Sequence, residues 1–497
     1  MLFNSMEFMI FFPIVILVYF ILPEKAKQFW LLIASYYFYM CWNAKYALLI
    51  LFSTVITYTS GLMMEQIKHM SWDDIRKVKY KKIVVALSFT LNLAILFYFK
   101  YINFAFSIVS GVFGSIHIEL HVPEFDIILP VGISFYTFQA LSYTMDVYRD
   151  EIYAEKNFFR YSLFVSFFPQ LVAGPIERSK NLLKQLDKPQ KFDFDRAREG
   201  FLLMLWGFFL KIVLADRIAV FVDTVYADFD TYGGAYLVVA TLLFAIQIYC
   251  DFYGYSVIAM GAAKILGVQL MENFDAPYLS VSVAEFWRRW HISLTSWFKD
   301  YLYIPLGGGY KGKKRKYFNK MLVFLVSGLW HGADLSYVIW GGINGFYQVA
   351  GEILAPVRNK AVSMFGLHRE SLGHRLLHMT ATFLLVDFSW IFFRADGINA
   401  LRIIKHMITV KNPWILLDGS LYQCGLDSKN FWLMLLCMGI LLFADCCKYK
   451  GIQIRNVIVK QDDWFRWIFI AFAVWSILTF GIWGTQYNEA NFIYFQF

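Results

Sequence analysis

Twelve runs of mostly apolar residues, separated by loops that collect lysine and arginine, leave this chain few ways to fold. The runs cover about 6–22, 28–44, 47–65, 83–99, 127–148, 200–220, 235–251, 318–332, 335–354, 376–394, 431–447 and 464–483. A helix that crosses a bilayer needs ~20 mostly apolar residues, and lipid offers no partner to an unpaired backbone group. Repeated runs of that length predict an all-α, polytopic membrane protein with roughly 11–13 transmembrane helices. Composition agrees: 59% of the 497 residues are hydrophobic, 20% aromatic and only 17% charged, against ~45–50% apolar and ~25% charged in soluble domains. A single integral-membrane domain over 1–497 is the simplest organisation, since no repeat or low-complexity linker divides the chain.

The net charge of +9 does not point to nucleic acid, because the cations sit in loops between apolar runs. That is the positive-inside pattern. The 66–82, 175–198, 311–320 and 448–463 segments are basic and should be cytoplasmic. The 222–234 loop holds Asp223, Asp228 and Asp230 with no lysine or arginine and should face outside, as should 100–126. The alternation places both termini outside; the 395–430 loop, with Arg402, Lys405, Lys411 and Lys429, fits it least well. The first run lacks a basic leader and a small-residue cleavage site, so it reads as a membrane helix and not as a removed signal. Six cysteines without a CxxC pair indicate neither a zinc site nor a disulfide framework, and no metal is expected.

Two stretches depart from simple spans. Residues 158–173 are apolar but contain Pro169 and end in Gly174-Pro175, which predicts a broken or re-entrant helix buried in protein. Residues 278–310 mix Phe286, Trp287, Trp290, Trp297 and Phe298 with Arg288, Arg289 and Lys299, which predicts an interfacial amphipathic helix before the turn Gly307-Gly308-Gly309.

Ionisable groups in such a chain are the functional candidates. His331 ends an apolar run and His291 lies forty positions earlier; imidazole is the side chain suited to proton transfer near neutral pH. Gln247, Asp251 and Tyr255 recur at i, i+4 and share a helix face, as an interhelical hydrogen-bond network or as the polar wall of a cavity. The 305–320 segment, with its glycines and Lys313, Lys314 and Arg315, is a topology anchor, a phosphate-binding surface, or both, and it lacks the P-loop spacing.

Six stretches in order carry a resemblance. They are Leu129-Pro-Val-Gly-Ile-Ser-Phe-Tyr-Thr-Phe-Gln139, Phe168-Pro-Gln-Leu-Val-Ala-Gly-Pro-Ile176, Gln247-Ile-Tyr-Cys-Asp251-Phe-Tyr-Gly-Tyr-Ser256, Phe286-Trp-Arg-Arg-Trp-His291-Ile-Ser-Leu294, Gly328-Leu-Trp-His331-Gly332 and Phe492-Ile-Tyr-Phe-Gln-Phe497. The chain resembles the membrane-bound O-acyltransferases, in the bacterial branch of alginate O-acetylation and teichoic-acid D-alanylation. The resemblance implies that His331 is the catalytic histidine, with His291 at a second site position and Trp330 beside them. It also implies that Tyr494 in the C-terminal tail carries an acyl group.

The expected reaction is acyl transfer, acetyl in the first instance, from a cytoplasmic acyl-CoA to an extracytoplasmic polysaccharide. No cofactor is permanently bound in this reading, and acetyl-CoA is a substrate. The basic residues Arg288, Arg289, Lys313, Lys314 and Arg315 are the candidates to hold its phosphates. The expected partners are the lipid bilayer of the bacterial plasma membrane, the polysaccharide and an SGNH-type extracytoplasmic acyltransferase. D-alanyl transfer from a carrier protein to teichoic acid is the alternative, and a transporter that uses its histidines as a proton relay is the rival class.

Overall fold

The computed structural model describes residues 1–117, 125–172, 174–188 and 190–483. Among these the secondary structure is helical throughout, from Met6–Ile21 to Asp463–Phe480, with no strand. All twelve apolar runs fold as helix. Six helices are long and apolar enough to cross a membrane: Ala44–His69, Asp74–Ser115, Ala235–Ile265, Leu372–Arg394, Ser428–Tyr449 and Asp463–Phe480. The other runs are short, such as Ile133–Tyr148, or interrupted, such as 194–227, where a π-helical segment, Phe209–Ala215, separates two α-helices. Others carry polar turns, such as Lys313–His331, which opens on Lys-Lys-Arg-Lys. An apolar run records burial, and burial against other helices selects the same residues as burial in lipid.

The described residues form two compact units, Met1–Phe201 with Ala259–Met271, and Leu202–Ile258 with Glu272–Phe497. In the first unit the predicted helix break is present. Phe158–Ser166 stops at Phe167, whose ψ of 110° is not helical, and Phe168–Leu171 restarts with Pro169 in its first turn. Proline is tolerated there because a first-turn N–H has no intrahelical acceptor. The break is buried, and side chains take over its backbone groups: Ser35 Oγ accepts from Phe168 N at 3.1 Å, and the amides of Gln139 and Gln170 both donate to Phe164 O, at 2.6 and 3.0 Å.

In the second unit the Lys313–His331 and Leu335–Ile353 helices form a tight antiparallel hairpin. The turn between them is short, and Asp334 Oδ1 caps the second helix by accepting from Ser336 N at 2.7 Å. Glycines let the two backbones approach. A Cβ on Gly328 would run into Tyr337 O, one on Gly341 into Phe324 O, and one on Gly345 would lie 2.9 Å from Met321 Sδ. This approach fixes where the last residue of the first helix, His331, stands.

The expected interfacial helix over 278–310 is corrected. The segment folds as separate short pieces, Pro277–Leu279, Val283–Arg289, Ile292–Phe298 and the π-helical Lys299–Tyr303. Phe286, Trp287, Trp290, Trp297 and Phe298 are all buried in protein. The mixed composition looked interfacial because alternating aromatic and basic residues also suit a short helix whose apolar face is wholly covered.

The hairpin contact gives a stability prediction. Gly341→Leu should destabilise the protein by about 1–3 kcal/mol through overpacking. Gly351→Ala on the same helix, where a Cβ meets nothing within 4 Å, should leave it unchanged. Thermal unfolding midpoints in detergent compare the two.

Candidate active site

His331 is the last residue of its helix and is 5% exposed. Aromatic rings surround it: Trp330 at 4.9 Å between centroids, Trp340 at 5.1 Å and Phe393 at 5.3 Å. His291 occupies the break between Val283–Arg289 and Ile292–Phe298, with a left-handed φ of 44°. It is 1% exposed, its ring is 4.7 Å from Phe252 and 6.0 Å from Trp330, and the two imidazole centroids are 6.5 Å apart. Forty residues of sequence separation have thus collapsed to one site. His291 lies outside the six long apolar helices, and burial pushes its imidazole down to about 3. At neutral pH it is an uncharged ring with one N–H to donate and one nitrogen to accept.

Both histidines open onto one cavity of about 190 Å³. Its wall has two helical stripes. Lys320, Val323, Phe324, Ser327 and His331 recur at i, i+3, i+4, i+7 and i+11 on one helix. His291, Leu294, Thr295, Phe298 and Lys299 recur at i, i+3, i+4, i+7 and i+8 on the other, continued by Tyr303. Each stripe starts from an imidazole and carries a lysine two to three turns away. Tyr303 stands beside Lys316, one turn before Lys320, so the stripes run antiparallel and the two lysines share an end. At 1.5 Å per residue, Lys320 and His331 are ~16 Å apart along the helix. The cavity therefore has a cationic end and an imidazole end, with apolar and hydroxyl-bearing walls between. Lys316 and Lys320 meanwhile share the carboxylate of Glu352, the first at 2.8 Å.

Local bonds fix this wall. Arg289, just before the break, donates to Asp275 Oδ2 at 2.8 Å and to Glu285 Oε1 at 3.0 Å, while Asp275 N donates to Arg289 O at 3.0 Å. Trp287 Nε1, on the cavity wall, donates to Asn344 Oδ1 at 3.2 Å. Asn344 is fully buried and donates in turn to Trp340 O at 2.9 Å and Ser389 Oγ at 3.2 Å. One amide thereby ties three helices together behind the indoles that flank the histidines.

The other sequence candidates separate into groups. Trp330 is buried beside both imidazoles. Gln247, Asp251 and Tyr255 are buried on one helix, as their spacing predicted, but none lines the cavity. Asp251 belongs to an ion cluster: Lys211 Nζ lies 2.6 Å from Asp251 Oδ1 and 2.9 Å from Asp216 Oδ1. Arg288, Lys313, Lys314 and Arg315 are exposed and off the cavity, and Arg289 is engaged with Asp275 and Glu285. The cations on the cavity are Lys299, which the sequence reading placed among interfacial residues, and Lys320, the last residue of the 305–320 segment; a helical stripe drawn from each histidine would have singled out both. Tyr494 lies outside the described residues.

Comparison with known proteins gives consistent matches. A model of the membrane-bound O-acyltransferase family matches residues 150–385, which include both histidines. The chain is 36% identical to a probable alginate O-acetylase of Pseudomonas syringae over 80% of its length and 73% of that protein. It is 32% identical to a peptidoglycan O-acetyltransferase of Helicobacter pylori over 82% of its length and 80% of that protein. A teichoic acid D-alanyltransferase of Bacillus subtilis is 30% identical over 45% of this chain and 59% of that protein.

The buried amide is testable by itself. Asn344→Leu leaves the Trp287 N–H without its acceptor and should cost about 1–3 kcal/mol, read as a lower unfolding midpoint. Trp287→Phe in the same background removes the orphaned N–H and should recover part of the loss.

Proposed function

This chain belongs to the membrane-bound O-acyltransferase family and is a membrane O-acyltransferase, and from that premise we propose that it transfers an acetyl group from acetyl-CoA toward hydroxyls of an extracytoplasmic polysaccharide. The observation that carries the reading is the cavity, in which two imidazoles 6.5 Å apart share a wall with Lys299 and Lys320. The named activities of the alginate and peptidoglycan relatives support acetyl as the group and a polysaccharide as its destination.

In this mechanism Lys299 and Lys320 attract the donor's phosphates, and the thioester lies toward the histidines. His331 takes the proton of the acceptor hydroxyl as the oxygen attacks the thioester carbonyl. His291, a neutral ring, donates its N–H to the oxyanion of the tetrahedral intermediate. Collapse breaks the C–S bond, and the departing thiolate recovers the proton from His331. A general base contributes ~10²–10⁴-fold, and one oxyanion donor ~10²–10³-fold. The aromatic shell excludes water, which protects the thioester and strengthens both hydrogen bonds. The hydroxyl that attacks is the polymer's own, or the phenol of Tyr494 acting as a relay to an SGNH-type partner outside the plasma membrane.

His331→Ala should abolish acetyl transfer in membrane vesicles with expression and unfolding midpoint preserved; retained transfer would remove His331 from the chemistry. Lys299→Ala and Lys320→Ala should raise KM for acetyl-CoA with little change in kcat, whereas Arg288→Ala and Lys313→Ala should move neither. For Tyr494→Phe, polymer acetylation in cells decides the relay: loss supports it, and normal acetylation assigns the attack to the polymer.

A further inference from the structure

We propose that Asn273 is a positioning residue for His291, acting as a helix cap supplied from a distant part of the chain. The proposal rests on the role given to His291 above.

His291 stands at the N-cap of the Ile292–Phe298 helix, yet its side chain makes no cap hydrogen bond. An N-cap residue ordinarily has extended backbone and bends its own side chain back onto the N–H groups of the first turn. His291 departs on both counts, since its backbone is left-handed at φ 44°, ψ 54° and its ring lines the cavity. Asn273 supplies what the imidazole does not. Its carbonyl oxygen accepts from Ile292 N at 3.0 Å, and its side-chain Oδ1 accepts from Ser293 N at 3.2 Å. Those are the first two N–H groups of the helix, which otherwise have no acceptor within it.

The Asn273 amide is oriented as well. Its Nδ2 donates to Ser256 Oγ at 3.1 Å, which turns Oδ1 toward Ser293. Asn273 and Ser256 are each 1% exposed and Ser293 is fully buried, so water cannot stand in for any of these bonds. On the other side of the break, Asp275 N takes Arg289 O. Residues 273–275 therefore hold the chain both before and after His291. Left-handed backbone is uncommon for any residue but glycine, although histidine, asparagine and aspartate enter it more readily than most. It persists where the surroundings enforce it. With its helix capped by Asn273, the His291 ring is released from capping and turned into the cavity.

The test uses the full-length protein in proteoliposomes supplied with acetyl-CoA and an alginate oligosaccharide as hydroxyl acceptor, with release of free CoA thiol as the turnover readout. Asn273→Ala should lower kcat roughly ten- to hundredfold, the scale of a ~1 Å misplacement of a reacting group, with KM for acetyl-CoA nearly unchanged. Ser256→Ala, which frees the amide without altering position 273, should show a smaller loss of the same kind. The deciding comparison is a double variant. If Asn273 acts only through His291, Asn273→Ala in a His291→Ala background should cost nothing further. Additive losses, or full activity in Asn273→Ala, would overturn the proposal. A cryo-EM structure of Asn273→Ala provides a readout that does not depend on the donor: the His291 backbone should leave the left-handed region, and an unchanged φ would also overturn it. A wild-type protein that releases no thiol would instead count against acetyl-CoA as the donor, while the backbone measurement still decides the cap.

Discussion

Everything in this site depends on how backbone hydrogen bonds are satisfied where water is scarce. A helix solves the problem for its interior and leaves it open at each end. Both candidate histidines stand where the helical repeat is interrupted. His331 closes one helix and His291 stands between two. Side chains provide missing partners: Asp334 caps the helix it precedes, and Ser35, Gln139 and Gln170 serve the break at Phe167.

Much of this architecture was legible in the sequence. Apolar run length predicts helices, Pro169 predicts the break in 158–173, and the scarcity of ionisable groups in apolar runs singles out His291 and His331. Other features were less legible. Length and hydrophobicity do not distinguish a helix surrounded by lipid from one surrounded by protein, and by those measures alone six helices are long and apolar enough to cross. The same ambiguity made 278–310 look interfacial, when its aromatics are buried in the protein.

Charge was harder to read, because a charged residue's role depends on a neighbour distant in sequence. Arg289 and Arg288 are adjacent and identical in type, yet one is bonded to Asp275 and Glu285 and the other is exposed. Asp251 read as part of an interhelical network or of a cavity wall, and its ion-pair partner Lys211 lies forty residues away. Lys299 and Lys320 were not singled out because each sits among other cations, and their shared helical stripes with the histidines distinguish them.

The two antiparallel stripes also amount to a ruler. Lys320 and His331 stand ~16 Å apart along one helix, and Lys299 and His291 ~12 Å apart along the other. Under the proposed acetyl-CoA reading, the donor would carry charge and reactive carbon at opposite ends of a long, slender arm. Under the same reading, a compact acyl phosphate, whose charge adjoins its carbonyl, would satisfy one end of the cavity and leave the other empty.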